Sequence, residues 1–367
     1  MSLSRRAWLG GAGVALAAAG AAWADEPPLR DLAAAKGLRF GSAIGGRSFG
    51  DAQVRALVAA QCALVVPENE LKWQALRPAP GVFAFDRADA ILGWAAQTGL
   101  AVRGHNLFWT APKWFPAWVN SYDFGSRPAS EAERLIVEHV TTVVTRYGAR
   151  IGSWDVVNEA IDPATGELRA NAFTPYLGER CLDIAFHAAR AAAPRAQMVY
   201  NDYMGWEAGN ERHRAGVLRL LGRLKARGVP VDALGVQSHL GPGDLPTAPL
   251  DRAQPEAWRR FLGEATGMDL GLLVTEFDVD DRGVPGDVAT RDAEVAAYAK
   301  AYLDLTLSFP QLRDVLCWGL DDRYSWLQSR SPRADGARKR GCPYGEDLRP
   351  KPLRAAMAEA FRAAPRR

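Results

Sequence analysis

Cysteine is scarce in this chain. Its 367 residues include four cysteines, Cys62, Cys181, Cys317 and Cys342, with no Cys-x-x-Cys spacing and no Cys/His cluster. That removes a zinc module from consideration, while the even number would let an exported protein pair its cysteines. Cys62 opens an apolar run and Cys317 sits inside another, so both read as small core residues, and all four are expected to be free thiols. An excess of charge of one sign is missing too: 45 Lys and Arg against 42 Asp and Glu give a formal charge of +3. Such a balance offers no electrostatic case for nucleic acid or a membrane surface as partner. The apolar run Leu9 to Ala22 falls short of the roughly 20 residues that cross a bilayer. No glycine-rich phosphate loop follows the first strand-like run, and no linker, low-complexity tract or repeat marks a second folded domain.

What is present describes a globular chain able to bury a large core, with 48% hydrophobic and 24% charged residues. Twelve Trp stand out. Trp beyond the needs of a core commonly supplies flat apolar recognition surfaces. The N-terminus has a basic start, the apolar run, and small residues at Ala22 and Ala24, which together read as a secretory signal over residues 1–24, cut after Ala24. Ser4-Arg5-Arg6-Ala7-Trp8-Leu9 resembles a twin-arginine export signal; two chance arginines in an ordinary signal are the alternative. The protein is therefore expected to be exported, to the periplasm or beyond, with residues 25–367 as one catalytic domain. A monomer is expected.

Short apolar runs recur at 38–44, 62–69, 100–109, 151–159, 196–203, 232–239, 270–278 and 315–320. Helical stretches such as Ser130–Tyr147, Gly178–Ala193, Asn210–Arg227 and Arg291–Leu307 lie between them. Strands without polar alternation, separated by helices, indicate a parallel sheet covered on its outer face. Eight such units point to an α/β fold, a closed (β/α)8 TIM barrel in a single domain, with a doubly wound open sheet as the alternative. Polar residues cluster at the C-terminal ends of the runs: Glu68 and Asn69, His105, Asn158 and Glu159, Asn201 to Tyr203, Gln237 and His239, Glu276 and Asp278. In a barrel those ends converge on one face, so Glu159 and Glu276 would share a cleft.

The motifs ENELKW (68–73), RGHNLFW (103–109), WDVVNEA (154–160), YNDY (200–203), QSHL (237–240), TEFDV (275–279), VPGDVATRD (284–292) and CWGLDDRYSW (317–326) carry a resemblance. In their order and spacing the chain resembles the glycoside hydrolase family 10 endo-β-1,4-xylanases, from about Leu38 to Lys351. The resemblance implies a retaining glycosidase that cuts inside xylan chains, with Glu159 as acid/base and Glu276 as nucleophile. The substrate class is then xylan and xylooligosaccharides. The implied chemistry needs neither cofactor nor metal.

Glycosidic cleavage needs one carboxyl protonated and one ionised. His239, itself held by Asp278, and Asn158 are the donors expected to keep Glu276 ionised, which leaves the proton on Glu159. By resemblance Asn158 also meets the sugar 2-hydroxyl. Trp318 and Trp326 would cover the sugar at the cleavage point, with Trp109 close by, while Glu68, Asn69, Lys72, His105 and Gln237 hold sugars by hydrogen bonds and Tyr203 stacks on the leaving side. Trp73, Trp94, Trp114, Trp118 and Trp206 are expected in the core or on the rim.

Three positions depart from the family pattern: Thr110 where a second His is common, Asn106 where Thr is frequent, and Arg323 for Lys. The segment 329–341 (SRSPRADGARKRG) is basic and reads as a solvated loop, or as a contact for acidic side groups on xylan. A β-1,4-glycanase acting on cellulose or mannan would share barrel and glutamates, a metal-dependent sugar isomerase could draw on the same Glu, His and Asp cluster, and a noncatalytic sugar-binding barrel would normally lack one glutamate.

Overall fold

The computed structural model describes residues 26–243, 249–330 and 332–367. The segment 1–24 read as an export signal, with Arg5, Arg6 and Ala24, lies outside the described residues. Among the described residues eight parallel strands form the barrel: β1 (Arg39–Ile44), β2 (Leu64–Pro67), β3 (Ala101–Trp109), β4 (Ser153–Asn158), β5 (Gln197–Asp202), β6 (Ala233–Val236), β7 (Gly271–Val279) and β8 (Leu312–Cys317). Each pairs with the next, and β8 pairs with β1, which closes the sheet into a barrel. A long helix, in places preceded by a short one, follows each strand: α1 (Ala52–Gln61), α2 (Asp86–Thr98), α3 (Pro128–Tyr147), α4 (Arg180–Ala192), α5 (Glu211–Ala226), α6 (Pro255–Gly267), α7 (Val288–Thr306) and α8 (Pro352–Ala363). The open-sheet alternative is thereby set aside.

The elements follow from local chemistry. β2, β4 and β6 are buried along their whole length, as strands covered on both faces must be, which is why their sequences lack alternation. The helices carry one apolar stripe each, such as Leu135, Ile136, Val140, Val143 and Val144 on α3 or Trp258, Phe261, Leu262 and Ala265 on α6. Asp51 accepts from the Gln53 N–H at the start of α1 and Asp287 from the Thr290 N–H at the start of α7, while prolines open α3, α6 and α8. All four cysteines are free and buried.

Three local features differ from the sequence reading. β8 begins at Leu312 rather than Val315, since the polar Arg313-Asp314 pair is tolerated there. Asp314 is fully buried because Arg39 on the neighbouring β1 forms a bidentate bond to it at 2.6 and 2.7 Å. β6 ends at Val236; Ser238 takes a left-handed φ of 64°, and His239–Leu240 re-pair as a two-residue strand beside Asp278 and Val279 of β7. His239 therefore reaches the site through a turn and not by strand alternation from Gln237. The basic segment is exposed over most of its described residues, as a solvated loop is, but three of its basic side chains are anchored to the barrel. Arg333 binds Asp335, the Val284 carbonyl and the Asp281 carbonyl, Lys339 lies 3.1 Å from Asp280, and Arg340 grips Asp292 with two 2.7 Å bonds.

Candidate active site

Beneath the site lies a buried polar layer. Arg103 donates to Asp155 at 2.6 Å and to Ser153 at 3.2 Å, and the second Asp155 oxygen is 2.9 Å from His105 Nδ1. Gly104, between Arg103 and His105, leaves room for the Trp154 indole, which a Cβ there would meet at 2.0 Å. The His105–Asn106 peptide is cis, and Asn106 Nδ2 lies 3.3 Å from His105 Nε2.

One hydrogen-bonded chain links the two glutamates. Gln237 Nε2 donates to Glu159 Oε1 (3.0 Å) and to Asn158 Oδ1 (3.3 Å). Asn201 Nδ2 donates to the same Asn158 oxygen (2.9 Å) and to Glu276 Oε1 (2.7 Å), and Thr275 donates to Asn201 Oδ1 at 2.7 Å. Gly235 makes that last contact possible, since a Cβ there would sit 2.4 Å from Asn201 Oδ1. On the other Glu276 oxygen, His239 Nε2 lies at 3.3 Å; its Nδ1 is 2.9 Å from Asp278, whose second oxygen accepts from Trp326 Nε1 at 2.6 Å. The amide that donates to Glu276 is thus that of Asn201 and not Asn158, because Asn158 turns its carbonyl oxygen toward both neighbouring amides. Gln237 likewise turns its amide nitrogen to the glutamate.

Glu159 itself stands just past β4 with a left-handed φ of 58°, a conformation a non-glycine residue keeps only when its surroundings fix it. Its N–H continues the ladder to the Asn201 carbonyl (2.9 Å), and its carbonyl accepts from Thr110 Oγ1 (2.6 Å) and Arg169 Nε (3.1 Å).

Residues 28–360 match the profile of glycosyl hydrolase family 10. The chain belongs to that family. It is 33% identical over 279 residues to endo-1,4-beta-xylanase 3 of Hypocrea jecorina, covering 76% of this chain and 72% of that one. Among solved structures it superposes on native xylanase 10B from Thermotoga maritima with a TM-score of 0.80 at 26% identity, over 91% of this chain and 98% of that one. Xylanase 10B from Thermotoga petrophila in complex with xylobiose gives the same TM-score at 25% identity, over 92% and 98%.

In this family 10 glycoside hydrolase the two glutamates sit in opposite electrostatic surroundings. Burial raises the Glu159 pKa, the neighbouring Asp202 carboxylate adds to the rise, and the bond from Gln237 opposes without reversing it. Burial alone would also raise Glu276, but His105, His239 and Lys72 outweigh it and hold the carboxylate below its ordinary range. His239 answers in kind: burial would lower its pKa, yet Asp278 and Glu276 raise it, so the ring is the cationic partner.

Around this centre, Lys72 Nζ donates to Asn69 Oδ1 at 2.8 Å and lies 4.8 Å from the Trp109 ring centre and 5.6 Å from that of Trp318. Burial lowers the Lys72 pKa against the pull of Glu276, Glu68 and Glu159, which places this cation within electrostatic reach of all three. Burial similarly raises Glu68. Trp318 packs edge-on to His105 at 5.1 Å and Trp326 lies 4.7 Å from the His239 ring. Trp109 stacks on the exposed Trp114 at 4.6 Å, so Trp114 is a rim residue. Tyr203 stands on another side, its hydroxyl accepting from Arg169 at 3.1 Å.

Asn201 and Asp202, read from sequence only as polar strand-end residues with no role, belong to the site, and Thr275, Asp155, Arg103 and Arg169 belong to it without having been singled out. Asn201 and Asp202 lie in YNDY, Asp155 in WDVVNE and Thr275 in TEFD, so their signal was position within the quoted motifs; Arg169, in the loop after β4, has none. Among the described residues no group of three His, Cys, Asp or Glu side chains is placed to hold a metal ion, and no helix is long and apolar enough to cross a membrane.

Proposed function

We propose that this glycoside hydrolase is an endo-1,4-β-xylanase that cleaves internal bonds of xylan and xylooligosaccharides with retention, Glu276 acting as nucleophile and Glu159 as acid/base. The observation that carries the reading is the pair of glutamates joined through Gln237, Asn158 and Asn201, with one carboxyl biased to keep its proton and the other to lose it. Glu276 attacks the anomeric carbon as Glu159 gives its proton to the leaving oxygen. Water, deprotonated by the same Glu159, then displaces Glu276 and regenerates both groups. Because Asn158 Oδ1 is occupied by two amides, its Nδ2 is the group left to donate toward the sugar 2-hydroxyl. Trp318 and Trp326 supply apolar faces for the sugar at the cleavage point; Glu68, Asn69, Lys72, His105 and Trp109 hold the glycone, and Tyr203 the aglycone. The relatives named as xylanases and the xylobiose-bound neighbour support xylan over cellulose or mannan. The protein is also read as exported and monomeric.

The test compares Glu276→Ala with Glu159→Ala. The first should slow every substrate by several orders of magnitude. The second should keep the first step on an aryl xylobioside with an acidic phenol, giving a burst of phenol and then slow turnover that azide accelerates with a β-xylobiosyl azide product. A burst in Glu276→Ala and none in Glu159→Ala would exchange the roles. Faster hydrolysis of carboxymethylcellulose or mannan than of xylan by the unaltered enzyme would reject the substrate.

A further inference from the structure

Thr110 is the residue directly after β3, fully buried, and both of its donors are spent on consecutive carbonyls of the Asn158-Glu159 pair. Its N–H donates to Asn158 O at 3.1 Å, and its hydroxyl lies 2.6 Å from Glu159 O and 3.3 Å from Asn158 O. The single hydroxyl proton goes to the nearer acceptor. This matters because β3 pairs with β4 only as far as Trp109 opposite Asn158. At Glu159 the chain turns left-handed and carries the next carbonyl out of the ladder direction, where no strand N–H follows it. The Thr110 side chain replaces that missing ladder bond, and a β-branched residue holds its hydroxyl in few rotamers. We propose that Thr110 is a positioning residue for proton transfer: by clamping the Glu159 carbonyl against Arg169 it fixes the left-handed turn and so the line along which the Glu159 carboxyl meets the leaving oxygen. The proposal rests on the acid/base reading of Glu159.

The experiment measures kcat/KM of Thr110→Val and Thr110→Ser on xylohexaose, whose leaving group needs a proton, and on 2,4-dinitrophenyl β-xylobioside, whose leaving group does not. Glu159→Ala is the control, and thermal melting is recorded for all. Thr110→Val should lose on the order of 10- to 100-fold on xylohexaose and stay within about threefold of wild type on the activated glycoside, since only the step that needs a well-aimed proton is impaired. Thr110→Ser, which restores the donor, should recover most of the xylohexaose rate. Equal losses of Thr110→Val on both substrates, or no loss on either, would overturn the positioning role. If Thr110→Val does not fold, Thr110→Ala is read by the same split. Absence of the split in Glu159→Ala would instead remove the acid/base from Glu159, and the proposal with it.

Discussion

At the scale of single residues, Asp202 adds to the proton affinity that burial gives Glu159. It is fully buried at the end of β5, bonded to the Tyr200 hydroxyl at 2.5 Å and lying 3.1 Å from His213 Nε2. After burial, its negative charge is the next largest cause of the raised Glu159 pKa. Activity requires Glu159 protonated and Glu276 ionised, so the alkaline limb of the kcat/KM profile follows Glu159 and the acidic limb follows Glu276. Asp202→Asn removes the charge that disfavours ionised Glu159, which lowers its pKa; the alkaline limb should move to lower pH while the acidic limb stays in place. An alkaline limb that is unmoved, or moved to higher pH, would show that Asp202 does not set the proton affinity of the acid.

At the scale of elements, the site depends on where strands admit small residues. Gly104 on β3 faces the buried Trp154 on β4, and an added Cβ would lie 2.0 Å from its ring. Gly104→Ala must push the indole or the strand aside and should cost on the order of 3 kcal/mol, read as a lower denaturant midpoint with unchanged slope. A midpoint equal to wild type would mean that the two strands are not packed this closely. The strands and the placement of Glu159, Glu276, His105 and Asp278 were legible in sequence for one reason: a parallel strand covered on both faces is mostly apolar, so a cluster of polar residues at its C-terminal end marks the functional face. The donor to Glu276 was not legible, because Asn158 and Asn201 both stand at strand ends and only barrel closure decides which amide faces the carboxylate. Neither was the left-handed Ser238, which breaks the alternation that Gln237 and His239 would otherwise share, nor Asp314, buried only because Arg39 lies across the seam where β8 meets β1. Composition showed the basic segment as solvated, which most of it is, but not the anchoring of Arg333, Lys339 and Arg340 by Asp280, Asp281, Asp292 and Asp335.

At the scale of the whole molecule, the proposed export route bears on the cysteines. A chain that folds before export keeps its thiols reduced, and the four cysteines are buried and free. If Arg5 and Arg6 form a twin-arginine signal, Lys at both positions should leave unprocessed, folded enzyme in the cytoplasm; normal export of that double variant would assign the chain to the ordinary secretory route. The central claim is that Glu276 becomes bonded to the sugar. Its most direct measurement is trapping with 2,4-dinitrophenyl 2-deoxy-2-fluoro-β-xylobioside, whose fluorine slows release of the intermediate more than its formation, followed by peptide mass spectrometry. The account predicts one fluoroxylobiosyl group per chain, on the peptide and residue of Glu276, and none in Glu276→Ala. Attachment at Glu159 or elsewhere, or full turnover of the reagent with no labelled protein, would contradict it.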